Sequence, residues 1–332
     1  MSCMRMSPNS GVPRMLCVVL VAAVFGLDAV AGADRVLPVW KWNRGVSRKY
    51  KLRIDREQNV RAENEFGTRL SMDAVIVLRC VGELGDRARM EMAFERLAIE
   101  RHAGREHYRF DSEKKLRASV EKSVWASAGR AVMATNAQFR IESSGTISAV
   151  EGFDRTLGPI LKQVNPADRR EAFQIVGLFG GRGIKNLLSG WLGVLPEDPI
   201  GRGDTWTKKR RIDLGMGGEI ERVENYVFDG LARDGALEIS MRGDVSLADG
   251  GEFDLPEGEV VTEISESDFT TRTLFSLEEG AILEQVRKGE LDLKIKVMRP
   301  ESGEAGQITT ARLRQRIEFG MVDGGEMADE ED

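Results

Sequence analysis

Leu291-Asp292-Leu293-Lys294-Ile295-Lys296-Val297 alternates apolar and charged side chains without a break. In an extended chain a two-residue period puts the apolar set on one face and the charged set on the other. The same alternation recurs at Tyr50, Leu52 and Ile54, at Leu70, Met72, Ala74, Ile76 and Leu78, and at Leu237, Ile239, Met241, Val245 and Leu247. Parallel strands covered on both faces read as continuous apolar runs, so these segments predict antiparallel sheet with one buried and one wet face. Further strands are expected at Met90 to Ile99, Ala131 to Ile141, Glu219 to Phe228, Val260 to Leu277 and Ile308 to Phe319. Turn signals separate them at Gly85-Asp86, Ser144-Gly145, Gly215 to Gly218, Asp249 to Gly251, Glu279-Gly280 and Pro300 to Gly306.

Between Phe153 and Leu195 the period changes. Leu157, Ile160, Leu161 and Val164 fall at helical spacing, and Asn165-Pro166 reads as an N-cap and first-turn proline opening a second helix through Phe173 and Val176. Ile184, Leu187, Leu188, Trp191 and Leu192 form a third apolar stripe, ended by Pro196 and Pro199. The expected architecture is α+β: a mostly antiparallel curved sheet or incomplete barrel, with a short helical insert packed on its concave face. The chain then divides into a leader over 1–33, a β-rich first half over 34–152, the insert over 153–195, a β-rich second half over 196–320 and an acidic tail over 321–332.

The leader has the layout of a secretory signal: Arg5 and Arg14, an apolar run from Met15 to Leu27, then Ala29, Ala31, Gly32 and Ala33. That run is shorter than the roughly 20 residues a spanning helix needs, so no transmembrane segment is expected in the exported chain. Cys17 sits at the start of the apolar run, the wrong place for lipid attachment. The 332 residues carry a net charge of −6, and loss of Arg5, Arg14 and Asp28 leaves the rest slightly more acidic. No polybasic run suits nucleic acid. With Cys3 and Cys17 in the leader, Cys80 is alone and no internal disulfide can form. Its even spacing from Leu70 to Leu78 places it in the core as an inert thiol.

Motifs for chemistry are sparse. His102 and His107, the only histidines, are five apart among Arg101, Arg105 and Arg109; on one strand they point to opposite faces, and the pair reads as a charged strand end rather than a metal site. Gly177-Leu-Phe-Gly-Gly-Arg-Gly183 follows a helix and lacks the Lys-Ser/Thr ending of a phosphate loop, so it reads as a flexible break before the third helix. Trp125-Ala-Ser-Ala-Gly129 comes nearest to a nucleophile elbow and lacks its first glycine. Arg242-Gly243-Asp244 lies within a strand, where the glycine marks a bulge. No catalytic residue, metal site or cofactor is expected.

Leu195-Pro196-Glu-Asp-Pro199-Ile200-Gly-Arg-Gly203-Asp204-Thr-Trp206 joins the insert to the second half, and its prolines, Gly-Asp turn and tryptophan suit an anchored connection. It resembles the LP..P(I/V)..GDTW element of an uncharacterised bacterial secreted family, a domain of unknown function loosely similar to lipoprotein-carrier half-barrels. That resemblance implies a β-rich exported protein and supplies no catalytic residue to carry over. The functional expectation is a non-catalytic exported protein, periplasmic or extracellular. It binds a lipid or other apolar ligand under a helical lid lined by Leu187, Leu188, Trp191 and Leu192, with Trp206 at the hinge. The alternatives are a structural or protein-interaction component of the cell envelope and a hydrolase.

Overall fold

A computed structural model describes residues 35–61, 65–85, 87–114, 123–148, 150–162, 164, 169–213, 219–247, 252–255, 258–298 and 305–322. Residues 1–34, which include the expected leader, Asn165-Pro166 and the residues beyond 322 lie outside the described residues. Strands β1 (Ser47–Arg61), β2 (Glu65–Leu84), β3 (Arg87–Ala103), β4 (Glu106–Asp111) and β5 (Ala137–Glu142) come from the first β-rich segment. The second supplies β6 (Thr205–Asp213), β7 (Glu219–Leu231), β8 (Leu237–Leu247), β9 (Glu252–Leu255), β10 (Gly258–Ser276), β11 (Ala281–Met298) and β12 (Ala305–Met321). Both segments build one 12-stranded antiparallel sheet in the order β4-β3-β2-β1-β12-β11-β10-β8-β7-β6, with β5 paired to β3 and β9 to β10. The β1–β12 pairing, from Tyr50↔Met321 to Arg61↔Thr310, welds first to last. This is the α+β curved sheet that the alternation predicts.

The strands are long. β2 has 20 residues, about 65 Å at roughly 3.3 Å per residue, so one sheet face offers more area than a few short helices can cover. Among the described residues four helices pack on that face: α1 (Val124–Met133), α2 (Phe153–Lys162), α3 (Arg169–Phe179) and α4 (Gly181–Leu192). They cover the half of the sheet that carries Tyr50, Leu52, Ile76, Leu78, Phe94 and Phe319, all buried. Phe94 meets Phe153 and Phe179 edge to face at 6.0 and 6.2 Å, and Trp191 stacks on Phe319 at 4.3 Å. Among the described residues no helix is long and apolar enough to cross a membrane.

Four expectations need correction. The segment from Ala131 is not all strand: Ser123 caps α1 by accepting from the Ala126 N–H at 3.1 Å, and Trp125, Ala128, Gly129 and Val132 face the core at helical spacing. Ser127, the serine of the false elbow, therefore sits inside a helix. The glycines before α4 allow close approach rather than a flexible break. A Cβ at 183 would lie 2.2 Å from the Gly177 carbonyl oxygen, and the Gly181 N–H donates to the Asp154 carboxylate at 2.9 Å. Gly243 forms no bulge. It pairs in register with Phe269 and Glu224, and a Cβ there would press on Val223 O at 3.3 Å. His102 and His107 are cross-strand partners on one face, because the chain turns back at Gly104 (φ +58°) between them.

Two turns hold the N-terminal segment. Trp40 and Lys41 donate backbone N–H bonds to Ser143 O and Gly280 O. Gly145 (φ +86°) sits so close to Leu192 O that a Cβ would fall 1.7 Å from it, and a Cβ at Gly280 (φ +55°) would fall 2.3 Å from Lys41 Cγ. Both turns are thus docking points for the same N-terminal strap.

Candidate functional site

Register defines the inner face strand by strand. It carries Tyr50, Leu52, Ile54, Arg56, Gln58 and Val60 on β1; Phe319, Ile317, Gln315 and Leu313 on β12; and Gln285, Arg287, Gly289, Leu291 and Leu293 on β11. It continues with Thr273, Thr271, Phe269 and Ile264 on β10, Met241 and Val245 on β8, Tyr226, Glu224, Arg222 and Ile220 on β7, and Trp206, Lys208 and Arg210 on β6. Read along β1, β12 or β7, the face is apolar, then polar, then apolar again.

The polar belt is a buried charge cluster. Glu224, fully buried, accepts from Arg210 Nε at 2.5 Å and from the Tyr226 hydroxyl at 2.8 Å. Arg222 lies 2.6 Å and Arg287 3.8 Å from its other oxygen. Burial alone would raise the Glu224 pKa, but Arg222, Arg287 and Arg210 outweigh it and hold the carboxyl at about 2. Burial, followed by the Glu224 charge, pushes the Tyr226 hydroxyl up to about 12. Three guanidiniums thus surround one carboxylate, two positive charges in excess.

Part of that excess meets the C-terminus of α4. Arg210 donates to the carbonyls of Ser189 and Gly193, and Arg287 donates to Gly190 O at 2.7 Å. The indole N–H groups of Trp40 and Trp206 donate to Leu192 O at 2.8 Å and Val194 O at 3.0 Å. Helix C-termini expose unpaired carbonyls with about half a negative charge, and cations there are stabilising. Four side chains therefore clamp one helix end to the sheet.

The predicted lid residues all fall at this clamp. Leu188, Trp191 and Leu192 are buried in the main core, while Leu187 and Trp206 are half-buried against it. Trp206 stacks on Tyr226 at 5.3 Å. The turn before it is closed by Asp204, which accepts from the Gly201 N–H at 3.0 Å and pairs with Arg35. Outside this turn a cleft of about 650 Å³ is bordered by Arg35, Pro196, Glu197, Asp198, Trp206 and Lys208. It is polar and open. Burial, aided by Arg210, lowers the Lys208 pKa.

Beyond the belt lies a second apolar cluster that sequence reading did not single out. Ile220, Val245 and Leu291 form its buried centre, with Leu247, Ile264, Phe269, Leu293 and Leu313 partly exposed around them. Every one of these residues lies on a strand. The Phe269 ring occupies the space over Gly289, where a Cβ would fall 2.4 Å from it, and the Arg222 guanidinium stands 5.7 Å from the centre of that ring. The signal was present in the alternation at Leu291, Leu293 and Ile295. Periodicity shows that such residues share a face but not whether a helix covers it.

On the outer face, His102 and His107 stack at 4.1 Å with nearly parallel rings, and both Nε2 atoms contact Glu100 Oε1, at 3.2 and 2.8 Å. The His107 contact is the main reason that the Glu100 carboxyl lies below its usual range. Cys80 is buried, its thiol pushed up by burial, as expected of an inert core group.

The arrangement defines a class: an open, curved antiparallel sheet whose inner face is divided between a helix-covered core and an apolar patch that, among the described residues, is built from strand residues alone. The chain belongs to DUF6263, a family of unknown function, which matches residues 85–265. No curated protein matches it. Among solved structures, lipovitellin aligns with a TM-score of 0.44 and 12% identity over 88% of this chain and 27% of its own. The chain thus spans about a quarter of the lipovitellin chain it matches. DynF, from the dynemicin biosynthesis pathway of Micromonospora chersina, aligns with a TM-score of 0.20 and 7% identity over 87% of this chain and 86% of its own. A DUF1329 family protein from Desulfovibrio piger aligns with a TM-score of 0.15 and 8% identity over 85% of this chain and 88% of its own.

Proposed function

We propose that the protein is an exported binding protein, periplasmic or extracellular, for a ligand with an acyl chain. The chain lies against the far apolar cluster of the inner face. The observation that carries this reading is the cluster itself: Ile264, Phe269, Leu293 and Leu313 are partly exposed side by side, all on strands. Such a patch on a concave surface binds by removing apolar area from water. Each methylene contributes about 0.8 kcal/mol, so about ten contribute roughly 8 kcal/mol, enough to offset a typical cost of association.

In this reading α4, with Leu187, Leu188, Trp191 and Leu192, is a fixed cover over the packed half, and Trp206 anchors it. The belt sets the end of the ligand. Its two excess positive charges are only partly balanced by the roughly half charge of the helix terminus. The Nε atoms of Arg56 and Arg222, both on this face, are buried without hydrogen-bond partners among the described residues. A carboxylate or phosphate at the end of the chain supplies the missing acceptor.

Native mass spectrometry of the purified protein tests this, followed by titration with oleate and with an uncharged monoglyceride of the same chain. The expected result is one bound chain per protein, tighter for oleate, and lost in the Leu293→Glu/Leu313→Glu variant while circular dichroism is unchanged. No co-purified ligand and no mass shift with either compound would sink the reading in favour of a structural envelope component. Equal binding of both compounds would remove the role given to the arginines.

A further inference from the structure

We propose that Glu100, His102 and His107 form a site for a divalent transition-metal ion of the zinc class on the outer face of the β3–β4 hairpin. The site is on the opposite side of the sheet from the apolar cluster and does not depend on the ligand reading.

The turn at Gly104 makes His102 and His107 direct antiparallel partners, and Glu100 lies two residues before His102 on the same face of β3. One ligand atom from each of the three lies within 4.8 Å of the others. Around a tetrahedral ion with bonds of about 2.0–2.1 Å, neighbouring ligand atoms sit about 3.3 Å apart. The two Glu100–histidine contacts, 3.2 and 2.8 Å, are already close to that spacing, so binding requires only a small opening of a preformed triangle. Two imidazole nitrogens and one carboxylate oxygen are a donor set that zinc accepts, with water completing the shell. On binding, each Nε2 offers its lone pair and the ring proton resides on Nδ1. The hairpin is held from behind: Arg101, on the opposite face, donates to Gln174 Oε1 at 3.0 Å and lies 3.4 Å from the Glu171 carboxylate. That fixes the strand on which two of the three donors sit.

The opposing term is charge. Register places Arg109 across from Glu100 and Arg69 across from His102, on the same outer face. These arginines weaken the site without blocking it, because all three donors are well exposed and water screens the repulsion. They also provide a variant that separates a metal site from a simple hydrogen-bonded trio.

The test uses full-length protein without a histidine tag, stripped with chelator and titrated with Zn²⁺ against a chromophoric competitor. One equivalent is expected to bind. Loss of a second-shell group already costs about 10–100-fold in affinity, so His102→Asn, His107→Asn and Glu100→Gln should each cost at least about tenfold. Arg109→Ala should tighten binding severalfold. In a variant-free arm, Co²⁺ added to the native protein should shift the ring signals of both histidines, the only two in the chain, and Zn²⁺ should raise the melting temperature. Absence of stoichiometric Zn²⁺ binding, undiminished binding by the His102→Asn/His107→Asn variant, or histidine signals unmoved by Co²⁺ would each overturn the proposal.

Discussion

The two halves of the inner face are written with the same kind of residue and meet different fates. On the near half, Tyr50, Leu52, Ile76 and Phe319 lie beneath helices, and aromatic stacking runs from Trp191 through Phe319 to Tyr50, at 4.3 and 4.4 Å. On the far half, Leu293, Leu313, Ile264 and Phe269 also face inward, but among the described residues their cluster is made of strand residues alone. Between them the belt of Arg210, Arg222, Arg287 and Glu224 both ends the helical cover and marks the start of the far patch. Apolar periodicity makes a sheet face, and the helices that reach it decide which part becomes core.

The contrast is sharpest in stability. Trp191→Ala removes the largest buried side chain of the cover and should cost about 3–5 kcal/mol in urea unfolding. Leu293→Ala, on the far half, should cost less than about 1 kcal/mol. Comparable losses at the two sites would erase the distinction.

Glu224→Gln strands three guanidiniums around a neutral amide and should cost about 3 kcal/mol. The same group sets a pH dependence. Its folded pKa of about 2 lies below the ordinary value of 4.5, so its contribution is complete above that ordinary value and drains away as pH falls toward the folded one. Chemical denaturation across that range should show a loss in the native chain that Glu224→Gln does not share. Within the helical cover a smaller effect is expected of Asp154→Ala, which removes the carboxylate that accepts from the Gly181 N–H at the start of α4. It should cost about 1 kcal/mol and leave ligand binding on the far half unchanged, read by oleate titration.

Much of the fold is legible in the residues. Alternation at Leu70 to Leu78 and Leu291 to Val297 gives long one-sided strands, and the stripe from Ile184 to Leu192 gives a helix that lies on them. Helix α1 escaped because Ala131-Val132-Met133 suits a strand as well as a helix, and only the Ser123 cap with Trp125, Ala128 and Val132 decides between them. The histidine pair escaped because five residues of spacing mean opposite faces on a strand but the same face across a turn. The belt was invisible for a different reason. Arg210, Glu224 and Arg287 sit on three strands, brought together by a register that the order of residues along the chain does not show.

The most direct measurement is methyl NMR of leucine-labelled protein with oleate added. Shifts are expected at Leu293 and Leu313 on the far half while Leu188 and Leu192, buried side chains of the clamped helix itself, stay in place. Shifts at Leu188 and Leu192 with none at Leu293 and Leu313, or no shifts at all, would contradict the proposed placement of the ligand.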